Sequence, residues 1–191
     1  MRIGVLALQG AFIEHINVIQ QLGFEALAVR LPTELDGLNG LIIPGGESTT
    51  ISQLMLDFKL MQPVRDLAQA GLPILGTCAG MILLAREVPD FSLETLRSMD
   101  IKVRRNAFGR QLDSFETDLE MPILGEKPFH AIFIRAPIID KASSEVKILA
   151  KLPDGVVVAA RQGKLVAAAF HPELTNDFRF HQYFLDIVAS G

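Results

Sequence analysis

Pro73-Ile74-Leu75-Gly76-Thr77-Cys78-Ala79-Gly80-Met81 changes character at its middle. Pro73 to Thr77 reads as a short buried strand, and Gly80-Met81-Ile82-Leu83-Leu84-Ala85 as the first turns of an apolar helix. Between them sits the only cysteine of the 191 residues. Gly76-x-Cys78-x-Gly80 is a nucleophile-elbow pattern with sulfur in place of a serine oxygen. A tight strand-to-helix turn crowds the backbone on both sides of the nucleophile and leaves little room for a Cβ, hence the glycines. The start of the helix favours negative charge, and its free N–H groups can face an oxyanion. A lone cysteine is most often a buried structural residue. Inside this turn it reads as a nucleophile.

An elbow needs a sheet to stand on, and the preceding residues supply one. Ile3–Leu8 is a continuous apolar run, as expected for a parallel strand buried on both faces. Phe12, Ile16 and Ile19 recur at helical spacing until Gly23. Glu25–Val29 and Gly40–Pro44 are the next strands. Gly45-Gly46 turns the chain into a helix with Ile51, Leu54, Met55 and Phe58 on its core face, and Pro63 opens another that ends at Gly71. This alternation predicts an α/β fold of flavodoxin-like, three-layer type with a mostly parallel central sheet. Ligands of such sheets sit at the carboxyl ends of the strands, where Gln9-Gly10, Gly45-Gly46 and Cys78 all fall.

Beyond the elbow the pattern is richer in strands: Ile101–Val103, Phe115–Met121, Ala131–Ile134, Val146–Leu149, Val156–Ala160 and Leu165–Phe170. A last helix is expected from Leu174 to Val188. No repeat, low-complexity tract or linker interrupts the chain, so residues 1–191 are expected to form a single domain. A net charge of −4 argues against nucleic acid or an anionic membrane as a partner. A single cysteine fits a reducing compartment, no apolar run approaches a membrane span, and the first residues carry no cationic leader. A cytoplasmic protein is expected.

A thiolate nucleophile needs a base, and the base an orienting group. His15 and His181 lie in helical patterns, where a surface or capping role is expected. His130 stands ahead of a strand without an acidic sequence neighbour. His171 differs: it follows an apolar strand and precedes Pro172-Glu173. In extended chain, residues i and i+2 point to the same side, so Glu173 can reach one imidazole nitrogen and leave the other for the thiol. Gly45-Gly46-Glu47-Ser48-Thr49-Thr50 is a turn whose N–H groups suit an oxyanion, while Glu47 suits an ammonium group. A phosphate loop would end in Gly-Lys-Ser/Thr, which is missing. Arg105, Arg110 and Arg135 are candidates for a substrate carboxylate. No cluster has metal-ligand spacing, and no dinucleotide fingerprint is present.

With these residues placed, the chain resembles the class I (triad) glutamine amidotransferases, and more narrowly the glutaminase subunits of pyridoxal phosphate synthase, the PdxT family. The elbow and His-x-Glu are shared across the class. Gly4–Gly10 with Glu14-His15 and Phe170–Thr175 also match, and more specific to the family are Gly45–Thr50, Arg105-Asn106-Ala107-Phe108-Gly109-Arg110-Gln111 and Phe133-Ile134-Arg135-Ala136-Pro137. The resemblance implies Cys78, His171 and Glu173 as catalytic residues, with the amides of Gly46 and Ala79 as oxyanion donors. It implies Gly46, Glu47, Ser48, Arg105, Ile134 and Arg135 as the glutamine site. It also implies no cofactor or metal, and a separate synthase subunit (the PdxS family) as receiver of the ammonia. A two-subunit system makes gating expected, with the Gln9-Gly10 peptide as the gate. Two other classes share parts of the pattern. A cysteine hydrolase or stress protein of similar fold would not use Glu47 with the arginines, and a non-catalytic module would not need Cys78 and His171 together.

Overall fold

Short apolar strands alternating with helices build the first half of the computed structural model, which describes residues 1–89, 93–105 and 114–190. The order is β1 (Arg2–Leu6), α1 (Phe12–Gln21), β2 (Glu25–Val29), β3 (Gly40–Ile43), α2 (Ser48–Asp57), α3 (Met61–Gln69), β4 (Ile74–Thr77) and α4 (Ala79–Leu84). The second half runs β5 (Ala85–Glu87), β6 (Met99–Arg104), β7 (Ser114–Leu119), β8 (Phe129–Ile134), β9 (Ile138–Ala142), β10 (Lys147–Lys151), β11 (Val157–Gln162), β12 (Leu165–Ala168) and α5 (Arg179–Ala189). The main sheet has the order β2-β1-β3-β4-β12-β11-β9-β6-β5, with β10 on β11, while β7 and β8 form a separate hairpin.

Neighbours from β2 through β12 are parallel. From β12 through β11 and β9 to β6 they are antiparallel, and β5 returns to a parallel pairing. This is the three-layer α/β fold expected, with a mostly parallel sheet. β3, β4 and β12 are buried at every position, so their sequences run apolar without alternation. β6 and β8 bury alternate residues, as strands with one solvated side do.

Two features of this frame position the site. In the register of β12 on β4, Ala168 lies beside Thr77, and the Cys78 N–H donates to the Ala168 carbonyl at 2.8 Å. The chain after β12 therefore emerges next to the elbow. Phe170 then packs among Phe129 and Phe180, with ring centroids 5.5 and 5.1 Å away. Burying such a ring is worth about 1.5–3 kcal/mol, enough to anchor the next residue. The His171 N–H donates to the Ile132 carbonyl of β8 at 2.8 Å, which completes the anchor.

Several boundaries differ from the sequence reading. β1 stops at Leu6 rather than Leu8, and β12 at Ala168 rather than Phe170, because both strands leave the ladder to enter the site. Pro63 lies inside the first turn of α3, where its missing N–H leaves no helical bond unmade. The last helix begins at Arg179, not Leu174. Pro172–Leu174 is a short 3-10 turn instead, and the Asp177 carboxylate accepts from the Arg179 N–H at 3.1 Å to start the helix. β5 and β9 were not expected. Among the described residues no helix is long and apolar enough to cross a membrane.

Candidate functional site

The β4–α4 turn holds Cys78 at φ 48° and ψ −102°, a conformation that costs a residue with a Cβ about 1–3 kcal/mol. The turn survives because its surroundings fit closely. A Cβ on Gly76 would run into the Gly80 backbone, and one on Gly80 into the Ile43 carbonyl. Those glycines let α4 lie directly on β3 and β4. The helix is only six residues long and fully buried, so its dipole is small. What it offers is the N–H of Ala79, one of the orphan donors at a helix start.

Cys78 is 7 % exposed, and its Sγ lies 3.8 Å from the Ile134 carbonyl. His171 Nδ1 is 2.6 Å from Glu173 Oε1, and both residues are buried. With Nδ1 engaged, Nε2 is the nitrogen left for the thiol. Burial alone would lower the His171 pKa, but the Cys78 and Glu173 contacts outweigh it and raise the value to about 10. Burial likewise opposes ionisation of Glu173. The imidazoles of His15 and His171 overcome that and hold its carboxyl below the usual range.

A cavity of about 430 Å³ opens over the sulfur. It is lined by Cys78, Ala79, Gly46, Glu47, Ser48, Arg105, Ile134, Arg135 and His171, so every residue expected at the substrate site borders it. Ile82, on α4, was not foreseen. Ser48 is 2 % exposed, and its hydroxyl has no hydrogen-bond partner among the described residues. A buried polar atom left unpaired at a cavity wall is a place for a ligand atom. Arg110, with the run Asn106–Gln111, lies outside the described residues.

Glu47 does more than line the cavity. Its carboxylate caps α2, accepting from the N–H groups of Thr49 at 3.2 Å and Thr50 at 2.7 Å and from both hydroxyls. Arg105 reaches the same carboxylate at 3.2 Å. Burial would raise the Glu47 pKa, but the hydrogen bonds from Thr49 and Thr50 bring it down to about 2. The carboxylate at the cavity wall is thus held in place by the protein itself. Glu is not among the preferred N-cap residues, so the sequence carries no plain signal of this cap.

Gln9 and Gly10 do not line the cavity but lie against the Gly45–Glu47 turn that does. Gln9 Oε1 accepts from the Glu47 N–H at 2.8 Å, and the Ala11 N–H donates to the Gly45 carbonyl at 3.0 Å. Gly10 has φ 97°, and a Cβ there would collide with that carbonyl. In a planar trans peptide C=O and N–H point opposite ways. Holding the Gly45 carbonyl toward Ala11 therefore turns the Gly46 N–H away from the Gln9–Ala11 turn.

Three histidine expectations require correction. His15 and His181 are fully buried, with His15 Nδ1 2.9 Å from His181 Nε2 and His15 Nε2 3.3 Å from Glu173 Oε2. Their partners lie on other elements, so the helical pattern alone did not reveal them. His130 does have acidic neighbours, Asp118 and Glu116, each at 2.9 Å across the β7–β8 hairpin. Among the described residues no group of three His, Cys, Asp or Glu side chains is placed to hold a metal ion.

Comparison with known proteins points the same way as the geometry. The profile of the SNO glutamine amidotransferase family matches residues 5–190. The chain is 60 % identical over 190 residues to a pyridoxal 5′-phosphate synthase subunit PdxT of Herpetosiphon aurantiacus, covering 98 % of this chain and 100 % of that protein. It is 56 % identical over 188 residues to the PdxT subunit of Moorella thermoacetica, covering 98 % and 100 %. A crystal structure described as a glutamine amidotransferase superposes with TM-score 0.93 at 46 % identity, covering 98 % of each chain.

Proposed function

From the premise that this chain belongs to the SNO glutamine amidotransferase family, we propose that Cys78, His171 and Glu173 are the groups with which it works. The chain is the glutaminase subunit of a pyridoxal 5′-phosphate synthase: it hydrolyses L-glutamine to L-glutamate and ammonia, and the ammonia serves vitamin B6 synthesis. The observation that carries the residue assignment is the 2.6 Å pair of His171 Nδ1 and Glu173 Oε1, with His171 and the elbow thiol of Cys78 at one cavity.

The steps follow from this placement. The thiol proton passes to His171 Nε2, and the sulfur attacks the side-chain amide carbon of glutamine. The carbonyl oxygen becomes an oxyanion facing the N–H groups of Ala79 and Gly46. His171 then gives its proton to the departing nitrogen, which leaves as ammonia and a Cys78 thioester remains. Water, deprotonated by His171, attacks the thioester through a second oxyanion, and glutamate and the thiol are released. Glu173 stays ionised throughout and stabilises the imidazolium each time it forms. Glu47 receives the α-ammonium group, Arg105 and Arg135 the α-carboxylate, and the Ser48 hydroxyl gains a polar partner. Ile134 closes the wall beside the sulfur.

The partner is a separate synthase subunit, which this chain joins as a hetero-oligomer and which takes up the ammonia. The isolated chain is a slow glutaminase because the Gln9-Gly10 turn, through Ala11 and the Gly45 carbonyl, sets the direction of the Gly46 N–H. Docking the partner moves that turn into its productive form. Losing one oxyanion donor costs ~100- to 1000-fold in kcat, so a differential binding of about 3–4 kcal/mol is enough. The test is kcat for glutamine alone and with saturating synthase subunit. The expected ratio is on the order of 100 or more. A ratio near one with a fast lone chain removes the gate, and no ammonia in either state removes the glutaminase reading.

A further inference from the structure

We propose that His15 is a positioning residue of the glutaminase site: anchored on Thr77, it sets the Nε2 edge of its ring against Glu173 Oε2 and so holds the carboxylate in line with His171. The proposal rests on the assignment of Glu173 made above, but on separate observations. His15, on α1, is fully buried. Its Nε2 lies 3.3 Å from Glu173 Oε2 and 3.1 Å from the hydroxyl of Thr77, the residue before the nucleophile. Its Nδ1 lies 2.9 Å from His181 Nε2 on α5. Glu173 Oε2 has no hydrogen-bond partner among the described residues, so the contact with His15 Nε2 is electrostatic, whereas Oε1 is taken by His171.

The tautomer follows from these contacts. If the proton sat on Nδ1, the Nε2 lone pair could accept from the Thr77 hydroxyl but would stand 3.3 Å from an oxygen of a buried carboxylate, lone pair against negative charge. With the proton on Nε2, it is donated to Thr77 Oγ1, and the positive edge of the ring also faces Glu173 Oε2. Nδ1 then accepts from His181 Nε2–H. The chain ends at His181 Nδ1, which has no partner among the described residues and is in this tautomer a lone pair, not a stranded N–H. Burial lowers the pKa of both imidazoles, that of His181 to about 3, so the pair stays neutral and only dipoles face Glu173. The groups surrounding His15 are Glu173 and His171 beyond β12, His181 on α5, Thr77 on β4 and Glu14 on its own helix.

The chemical consequence concerns rotation. The last torsion of a glutamate is broad, so a carboxylate held by one oxygen can swing. The hydrogen bond on Oε1 and the positive imidazole edge beside Oε2 restrict that swing and keep the acceptor of His171 Nδ1 in place as the imidazole cycles between neutral and charged.

The experiment compares His15→Asn with His15→Gln in the complex with the synthase subunit. A glutamine amide extends about as far as Nε2, while an asparagine amide ends near the Nδ1 position. His15→Asn is expected to lower kcat ~10- to 100-fold with KM changed less than about threefold, the cost of a misplaced catalytic group. It is also expected to move the half-maximal pH for alkylation of Cys78 upward, because a less supported imidazolium gives a less stable ion pair. His15→Gln should restore most of both. A folded His15→Asn protein with unchanged kcat and alkylation profile overturns the proposal, and so do equal losses in the two variants. Should His15→Asn fail to fold, nitrogen NMR of the unmodified chain with labelled histidine decides: an Nε2–H tautomer for His15 supports the proposal, and an Nδ1–H tautomer overturns it. Alkylation and NMR need no turnover. Failure of the unmodified complex to hydrolyse glutamine would therefore sink the functional reading while leaving the His15 result readable.

Discussion

The parallel half of the sheet, β2 to β12, and the chain around β6 and β8 meet at one cavity but bring different things to it. The parallel half delivers Cys78, His171 and Glu173 from the ends of adjoining strands and His15 from α1, all buried. The other region delivers Arg105 after β6 and Ile134 and Arg135 at the end of β8, with Ile134 39 % exposed. Groups that break bonds need fixed positions and little competing water. Groups that collect a charged amino acid must stay reachable before it arrives. The arginines meet the second demand from the β6 and β8 side, while Glu47 and Ser48 meet it from the rim of the parallel half, at the turn after β3.

The sharpest way to break this division is at the sulfur. Cys78→Ala removes one small side chain from a turn held by its glycines, so the protein should fold normally and lose all glutaminase activity. A glutamine-analogue electrophile should label the unmodified chain at Cys78 alone. Appreciable turnover by the alanine variant would take the nucleophile out of the parallel half. A middle-sized effect is expected across the cavity. Arg105→Ala should lower kcat/KM for glutamine ~10- to 100-fold, chiefly through KM, since one charged hydrogen bond is worth about 1.5–3 kcal/mol. A loss confined to kcat would instead place Arg105 among the bond-breaking groups.

The smallest effect sharpens the contrast between environments. His15 and His130 both face carboxylates, yet burial lowers the pKa of His15, whereas Asp118 and Glu116 raise that of the exposed His130. A raised histidine contributes stability below its unfolded pKa of about 6.5 and loses it as pH rises through the folded value. Exposure keeps this contribution small. Thermal unfolding of His130→Gln should therefore show a Tm about a degree or two lower near pH 6 and unchanged near pH 9. An equal drop at both values would mean that packing, not charge, is what His130 provides.

What the sequence disclosed follows the range of the interactions. Gly76-x-Cys78-x-Gly80 is a local steric demand, and His171 and Glu173 are two residues apart, so both could be read from one stretch. Gly45–Thr50 is readable as a turn, but the capping role of Glu47 is not, because Glu is not a preferred N-cap residue. His15 and His181 lie 166 residues apart and His130 lies 12 from Asp118. Their meaning depends on strand register and helix docking, which no periodicity reports. The start of α5 was misplaced for a related reason. Leu174 continues the apolar pattern of the helix, but Pro172 and the Asp177 cap decide the backbone.

The strand order has a consequence for how the molecule is born. β12 lies between β4 and β11, in the middle of the sheet, yet it is the last strand to be synthesised. Roughly ninety residues separate Thr77 from Ala168. At about 5–20 residues per second, a ribosome needs on the order of ten seconds to supply them. Throughout that interval β4 has an open edge on the nascent chain, and the elbow thiol has no imidazole beside it. Translation itself thus withholds nucleophile activation until the sheet can close, and the unpaired edge of β4 is where a chaperone or a misfolding partner has its opportunity.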